Sequence, residues 1–209
     1  MAPDIQALLG ATPSSDSITR FLKDLIQHSN TGLTAPEVKS YSDAVYFNYY
    51  PLGISLLFMP QKGYKPSSGM AREHLRDDSL VLDSINIYNA PMPKETPEKS
   101  RRTAELAFST YPLSEWSLSL SPETTAGNES PIAISLTTTG KDFVSCLGEP
   151  DRKGGGAGPS SGSIGIWCEW SKHGIMVEFG GDESRGPQAW ERGKDAVWRV
   201  ITVFSPKQG

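Results

Sequence analysis

Residues 46–58 and 167–179 of this chain lie over one another without a gap, and this internal repeat constrains the fold more than any other feature. Aromatic rings coincide at Tyr46 and Trp167, at Tyr49 and Trp170, and at Phe58 and Phe179. Gly53 coincides with Gly174, and Ile54 with Ile175. Each copy reads as two β-rich runs around a tight bend. Pro51 has no N–H to give a ladder, and a glycine at the bend accepts the positive φ that a hairpin turn demands.

Each copy has a further strand downstream. Residues 81–88 match 197–204, and in the first of these Val81, Asp83, Ile85 and Ile87 alternate with Leu82, Ser84, Asn86 and Tyr88. That alternation predicts a half-buried strand with one largely apolar side. Upstream, residues 4–13 and 141–150 each read as a short helix closed by Leu-Gly and a nearby proline, a helix-end signal. The first copy contains an additional amphipathic helix over 17–27, with Ile18, Phe21, Leu22, Leu25 and Ile26 on one stripe and Ser15 or Asp16 as its cap. In the second copy the matching link is the Gly/Ser-rich stretch 154–165, read as a loop. Further loops are expected at 61–78, 92–102 and 181–194, and strand-like segments at 107–120 and 132–136.

The fold expected is therefore α+β: two tandem helix–β-hairpin–strand repeats forming antiparallel sheets, with short helices on one face. The first repeat occupies 1–125 with its inserted helix 17–27, and the second occupies 126–209, the two packed as one unit. Twenty glycines and 16 prolines against a 37% hydrophobic share suit short strands and long turn-rich loops. Five Trp, 7 Tyr and 7 Phe supply the large surfaces such a core needs.

A formal net charge of −4 argues against a nucleic-acid partner, whose phosphates call for a basic face. The longest apolar run, 52–59, is far short of the roughly 20 residues that span a bilayer. The chain opens Met1-Ala2-Pro3-Asp4, without a charged-then-apolar leader, and holds only two cysteines, so a cytoplasmic protein is expected and the sequon at Asn128 is expected to stay unmodified.

Several patterns invite a chemical reading. The glycines at 154–156 and 158 follow a helix and precede a strand, the reverse of a phosphate-cradling loop, and no Gly-Lys-Ser/Thr accompanies them. Cys146, Cys168, His28, His74 and His173 show no paired metal-ligand spacing, and a Cys–His dyad lacks a third group to orient the imidazole. No strand-borne Gly-x-Ser-x-Gly elbow occurs. No catalytic residue, metal or cofactor is therefore expected, and the rival reading is a small thiol-dependent enzyme using Cys146 or Cys168. The loop carrying Lys94, Lys99, Arg101 and Arg102 is the best candidate contact for an anionic lipid head group or a protein partner, with Arg152 and Lys153 as a second site. Aromatic side chains on both sides of the strands 46–50 and 167–170 point either to core packing or to a partner-binding patch.

The run Tyr-Phe-Asn-Tyr-Tyr-x-Leu-Gly-Ile-x-Leu-Leu-Phe at 46–58, the strand at 81–88 and the element Asp142-Phe143…Leu147-Gly148-Glu149-Pro150 resemble the phagosome assembly factor family. The likeness is to the carboxy-terminal repeats of its longer members. It implies a non-catalytic adaptor in autophagy that binds a β-propeller partner and is recruited to phagophore membranes through phosphoinositides. The helix-then-hairpin repeat is also similar to β-lactamase-inhibitor-like and outer-membrane assembly lipoprotein folds, which implies an inhibitory or binding module.

Overall fold

The computed structural model describes residues 4–29, 31–32, 35–90, 108–119, 131–156 and 165–207. Strands β1 (Glu37–Ser40), β2 (Val45–Tyr49), β3 (Ile54–Pro60) and β4 (Leu80–Tyr88) come from the first half of the chain. Strands β5 (Glu115–Leu118) and β6 (Ile132–Ser135) follow. The second half supplies β7 (Arg152–Gly154), β8 (Trp167–Trp170), β9 (Ile175–Phe179) and β10 (Trp198–Phe204). Three α-helices are described: α1 (Asp16–His28), α2 (Gly140–Leu147) and the single turn α3 (Ala189–Arg192). Eight strands make one antiparallel sheet in the order β1-β2-β3-β4-β10-β9-β8-β7, and β5 pairs with β6 apart from it. The fold is α+β.

The two matched segments are equivalent hairpins. Tyr49 faces Ile54 and Phe47 faces Leu56 in the first, while Trp170 faces Ile175 and Cys168 faces Val177 in the second. Each bend is one turn of 3-10 helix, Tyr50–Leu52 or Ser171–His173, closed by a left-handed glycine at φ 58° (Gly53) or 66° (Gly174). Sterics reinforce the glycine at both places. A Cβ on Gly53 would run into the Ser109 carbonyl oxygen, and one on Gly174 into that of Phe204.

β4 and β10 join the halves. Asn86 faces Thr202, its own counterpart in the repeat, while Ile85 faces Val203 and Ile87 faces Ile201. A local two-fold axis therefore passes between Asn86 and Thr202. The halves also share a β-bulge. Asp83 is left out of the β3–β4 pairing and Arg199, its counterpart, out of the β9–β10 pairing. The bulge re-phases the strand, so that Leu80, Leu82, Ile85 and Ile87 are buried while Asp83 is exposed. This corrects the alternation read from the sequence, which placed Asp83 on the apolar side.

One face of the sheet is covered. α1 is capped by the Ser15 hydroxyl, which accepts from the Ile18 N–H at 3.4 Å, and it buries Ile18, Phe21 and Leu25. α2 starts at Thr139, whose N–H and hydroxyl both donate to Asp142 (2.8 and 2.7 Å), and it lays Phe143 against Trp170 and Phe179. These rings join Val45, Phe47, Phe58, Ile175 and Val177 in one core that also takes in Trp116 and Ile134 of the small sheet.

The helix at 17–27 is not an insertion. Leu82 donates its N–H to Ala11 at 2.9 Å, and its counterpart Trp198 donates to Thr138 at 3.3 Å, immediately before α1 and α2 respectively. The counterpart of α2 is thus α1, and in each half one helix precedes four strands, with the single turn α3 added between β9 and β10 of the second. Residues 4–13, expected as the matching helix, form only a 3-10 turn over Gln6–Leu8.

Candidate binding face

The opposite face is built differently, and the strand alternation dictates how. Side chains next to the core positions point away from it. On β2 and β3 these are Tyr46, Asn48 and Ser55, on β4 and β10 Ser84, Asn86 and Thr202, and on β8 and β9 Glu169 and Met176. Polar side chains on this face pair with one another. Ser55 donates to Asn48 Oδ1 at 2.7 Å, and Thr202 donates to Asn86 Oδ1 at 2.8 Å across the local axis.

Two grooves cross this face, one within the first half and one that runs from Asp83 and Ser84 of β4 onto the second half. The first, of about 480 Å³, has a floor of Asn48, Ser55 and Asn86 and walls of aromatic rings. Tyr41 meets Tyr46 edge to face at 6.2 Å on one side. On the other, Phe108 stacks on Tyr88 at 3.8 Å and touches Tyr50 at 4.6 Å. Burial pushes the Tyr88 hydroxyl up to about 12, so it stays a proton donor. The second groove, of about 340 Å³, is lined by the counterparts Glu169, Met176, Thr202 and Phe204, together with Lys207.

Glu169 organises the second groove. Its side chain is only 7% exposed, and it receives Ser171 Oγ at 2.7 Å, Arg152 Nη1 at 3.2 Å and Lys207 Nζ at 3.3 Å. Burial alone would raise its pKa, but the hydrogen bonds from Ser171 and Lys207 and the charges of Lys207 and Arg152 outweigh it and hold the carboxyl below the usual range.

Lys94, Lys99, Arg101 and Arg102 lie outside the described residues. Arg152 and Lys153 are described but do not share a surface. Arg152 stands opposite Glu169 on the grooved face, with its guanidinium 6.0 Å from the Trp167 ring. Lys153 stands opposite Cys168 on the other side and reaches over Trp190 at 5.6 Å. The hairpin aromatics divide in the same way: Phe47, Tyr49 and Trp170 are buried in the core, whereas Tyr46, Tyr50 and Trp167 are half-buried on the grooved face. Of the cysteines, Cys146 is exposed and Cys168 is buried, and burial pushes the Cys168 thiol up to about 11, so it is protonated at neutral pH. Among the described residues no cluster of His, Cys, Asp and Glu is arranged to hold a metal ion, and no helix is long and apolar enough to cross a membrane.

The sequence reading missed Asn48, Asn86, Glu169, Thr202 and Lys207 as members of one surface. The signal was present, because the first four are the polar members of alternating strands, and overlaying the matched strands collects them. Lys207 follows the last strand and carries no such pattern.

Searches against family models, curated proteins and solved structures find no match to this chain.

Proposed function

We propose that this protein is a non-catalytic binding module that receives a protein partner on the grooved face of its eight-stranded sheet, acting as an adaptor of the phagosome-assembly type. The observation that carries this reading is the contrast between the two faces. Helices and the small sheet bury one, while the other presents hydrogen-bonded polar pairs, one aromatic-walled groove and a second groove lined by Glu169, Met176 and Phe204. Aromatic rings beside a polar floor are the composition of a protein-recognition surface. In this reading the protein works in the cytoplasm and is recruited to phagophore membranes, with Lys94, Lys99, Arg101 and Arg102 as the contact for phosphoinositide head groups and a β-propeller protein as partner.

A second reading is a β-lactamase-inhibitor-like module, which asks for a sheet face free of packing; one face of this sheet is left without helix or strand cover by the described residues. Affinity purification with mass spectrometry distinguishes the two. Recovery of a β-propeller supports the adaptor, and recovery of an enzyme whose activity falls on binding supports the inhibitor.

The face itself is tested by Tyr46→Arg with Met176→Arg, one change in each groove, against Lys23→Glu on the exposed side of α1. The double variant is expected to lose the recovered partner with its thermal melt preserved, while Lys23→Glu keeps it. Full recovery by the double variant contradicts the proposal.

A further inference from the structure

The layer that covers the core face of the large sheet is not uniform. α1 and α2 hold no buried side-chain polar atom without a partner, but the small sheet does. Trp116 Nε1 in β5 and the Tyr111 hydroxyl just ahead of it have no hydrogen-bond partner, and less than 1 Å² of either atom is open to water. Their rings meet at 5.6 Å. The other buried indoles are satisfied: Trp170 donates to Gly148 O at 2.9 Å and Trp198 to Ser135 O at 2.7 Å. A donor that has given up water and gained nothing keeps its full desolvation cost. The packed position of the small sheet therefore carries two such costs, and opening relieves them.

The attachment of this layer is one-sided as well. β5 and β6 pair only with each other, and a two-stranded sheet has little stability of its own in water. The hydrogen bonds that tie it to the large sheet gather just past β6. Trp198 Nε1 and Asn89 Nδ2 donate to the carbonyls of Ser135 and Leu136, and the Trp198 N–H donates to that of Thr138. Among the described residues β5 makes none, and the last tie before it is Tyr111 N–H to Tyr88 O at 2.9 Å. What holds β5 down is apolar contact by Trp116, Leu118, Ile132 and Ile134, which share the inner side of the small sheet.

We infer that the small sheet is a hinged cover, which opens as a unit about residues 135–139 and the stretch after Tyr111 while the eight-stranded sheet stays paired. Opening hydrates the Tyr111 hydroxyl and the Trp116 N–H, and it leaves the hydrogen bonds at the hinge in place. It uncovers Trp198 and the apolar side of β5 and β6, so the molecule has a second state in which part of a buried layer is exposed. The cover lies on the opposite face from the grooves, and its opening does not depend on what they bind.

The test is native-state amide hydrogen exchange of the intact chain, read by mass spectrometry across low urea concentrations. Amides of residues 115–118 and 132–135 are expected to show protection factors about tenfold or more below those of β4 and β10. Their exchange should depend only weakly on urea, because opening exposes little surface, whereas β4 and β10 follow the steep dependence of global unfolding. Tyr111→Phe removes one unpartnered group and keeps its ring. It is expected to slow exchange in the small sheet by about tenfold, equivalent to ~1.4 kcal/mol, with a thermal melt confirming that the variant is folded. Protection and urea dependence in the small sheet equal to those of β4 and β10 would mean that no separate opening exists. Unchanged or faster exchange in Tyr111→Phe would mean that its hydroxyl is satisfied in the closed state. Either result overturns the inference.

Discussion

Replacing the hairpin glycines with alanine tests the duplicated bend with matched sites. Gly53 and Gly174 sit at φ 58° and 66°, and placing an L-residue in that region costs roughly 1–2 kcal/mol. The added Cβ also collides with a carbonyl of the segment crossing the bend, Ser109 in the first half and Phe204 in the second. Relieving the collision means pulling that segment away. In the second half this disrupts Phe204 N–H to Gly174 O (2.8 Å) and Lys207 N–H to Ser171 O (3.0 Å), and in the first Ser109 N–H to Tyr50 O and Tyr111 N–H to Tyr88 O (both 2.9 Å). Two backbone hydrogen bonds at about 1 kcal/mol each bring the total to about 3–4 kcal/mol. At about 2–4 °C per kcal/mol for a chain of this size, the melting temperature should fall by about 6–16 °C. Gly63, at φ 75° with open space around its Cα, is the control: Gly63→Ala carries the conformational cost alone, about 1–2 kcal/mol. Differential scanning calorimetry reads all three variants. If Gly174→Ala melts no lower than Gly63→Ala, or if only one hairpin glycine is sensitive, the reasoning fails.

Phe58→Ala and Phe179→Ala, both in the core, should each cost about 3–5 kcal/mol in chemical denaturation, and a loss under 1 kcal/mol would remove them from the core. Glu169 has a folded pKa below its ordinary value, so its contribution is present above that value and is lost as pH falls through the folded one. The acid limb of the stability curve should therefore be shallower in Glu169→Gln, and identical limbs would contradict the clamp. Cys168 should resist a thiol reagent at neutral pH until the chain unfolds, while exposed Cys146 reacts in the native state. Rapid native labelling of Cys168 would revive the thiol-enzyme reading.

The hairpins, the third strands and the amphipathic stripe of α1 were legible in the sequence because each depends on local periodicity and on one glycine per bend. The pairing of the helices was not. The Leu-Gly…Pro signal at 8–13 and 147–150 marks different places, ahead of α1 in one half and after α2 in the other, and only the hydrogen bonds from Leu82 and Trp198 reveal which helices correspond. The bulge at Asp83 was hidden for a similar reason, since a skipped residue shows only against its partner strand. The grooved face escaped because its members are scattered across six strands and individually look like ordinary solvated positions. Glu169 in particular reads as a surface residue until Arg152 and Lys207 are brought to it from distant parts of the chain.

All of this depends on β4 and β10 meeting with Asn86 against Thr202, which joins the two halves in one sheet with one face uncovered by the described residues. A disulfide trap reads that register directly: Asn86→Cys with Thr202→Cys, in a Cys146→Ser background, followed by mild oxidation and mapping of the linked peptides. Paired strands place the two sulfurs within bonding reach, so near-complete intramolecular cross-linking is expected, with little for the off-register pair Asn86→Cys and Phe204→Cys. Failure of the 86–202 pair to link, or equal linking of both pairs, would contradict the account.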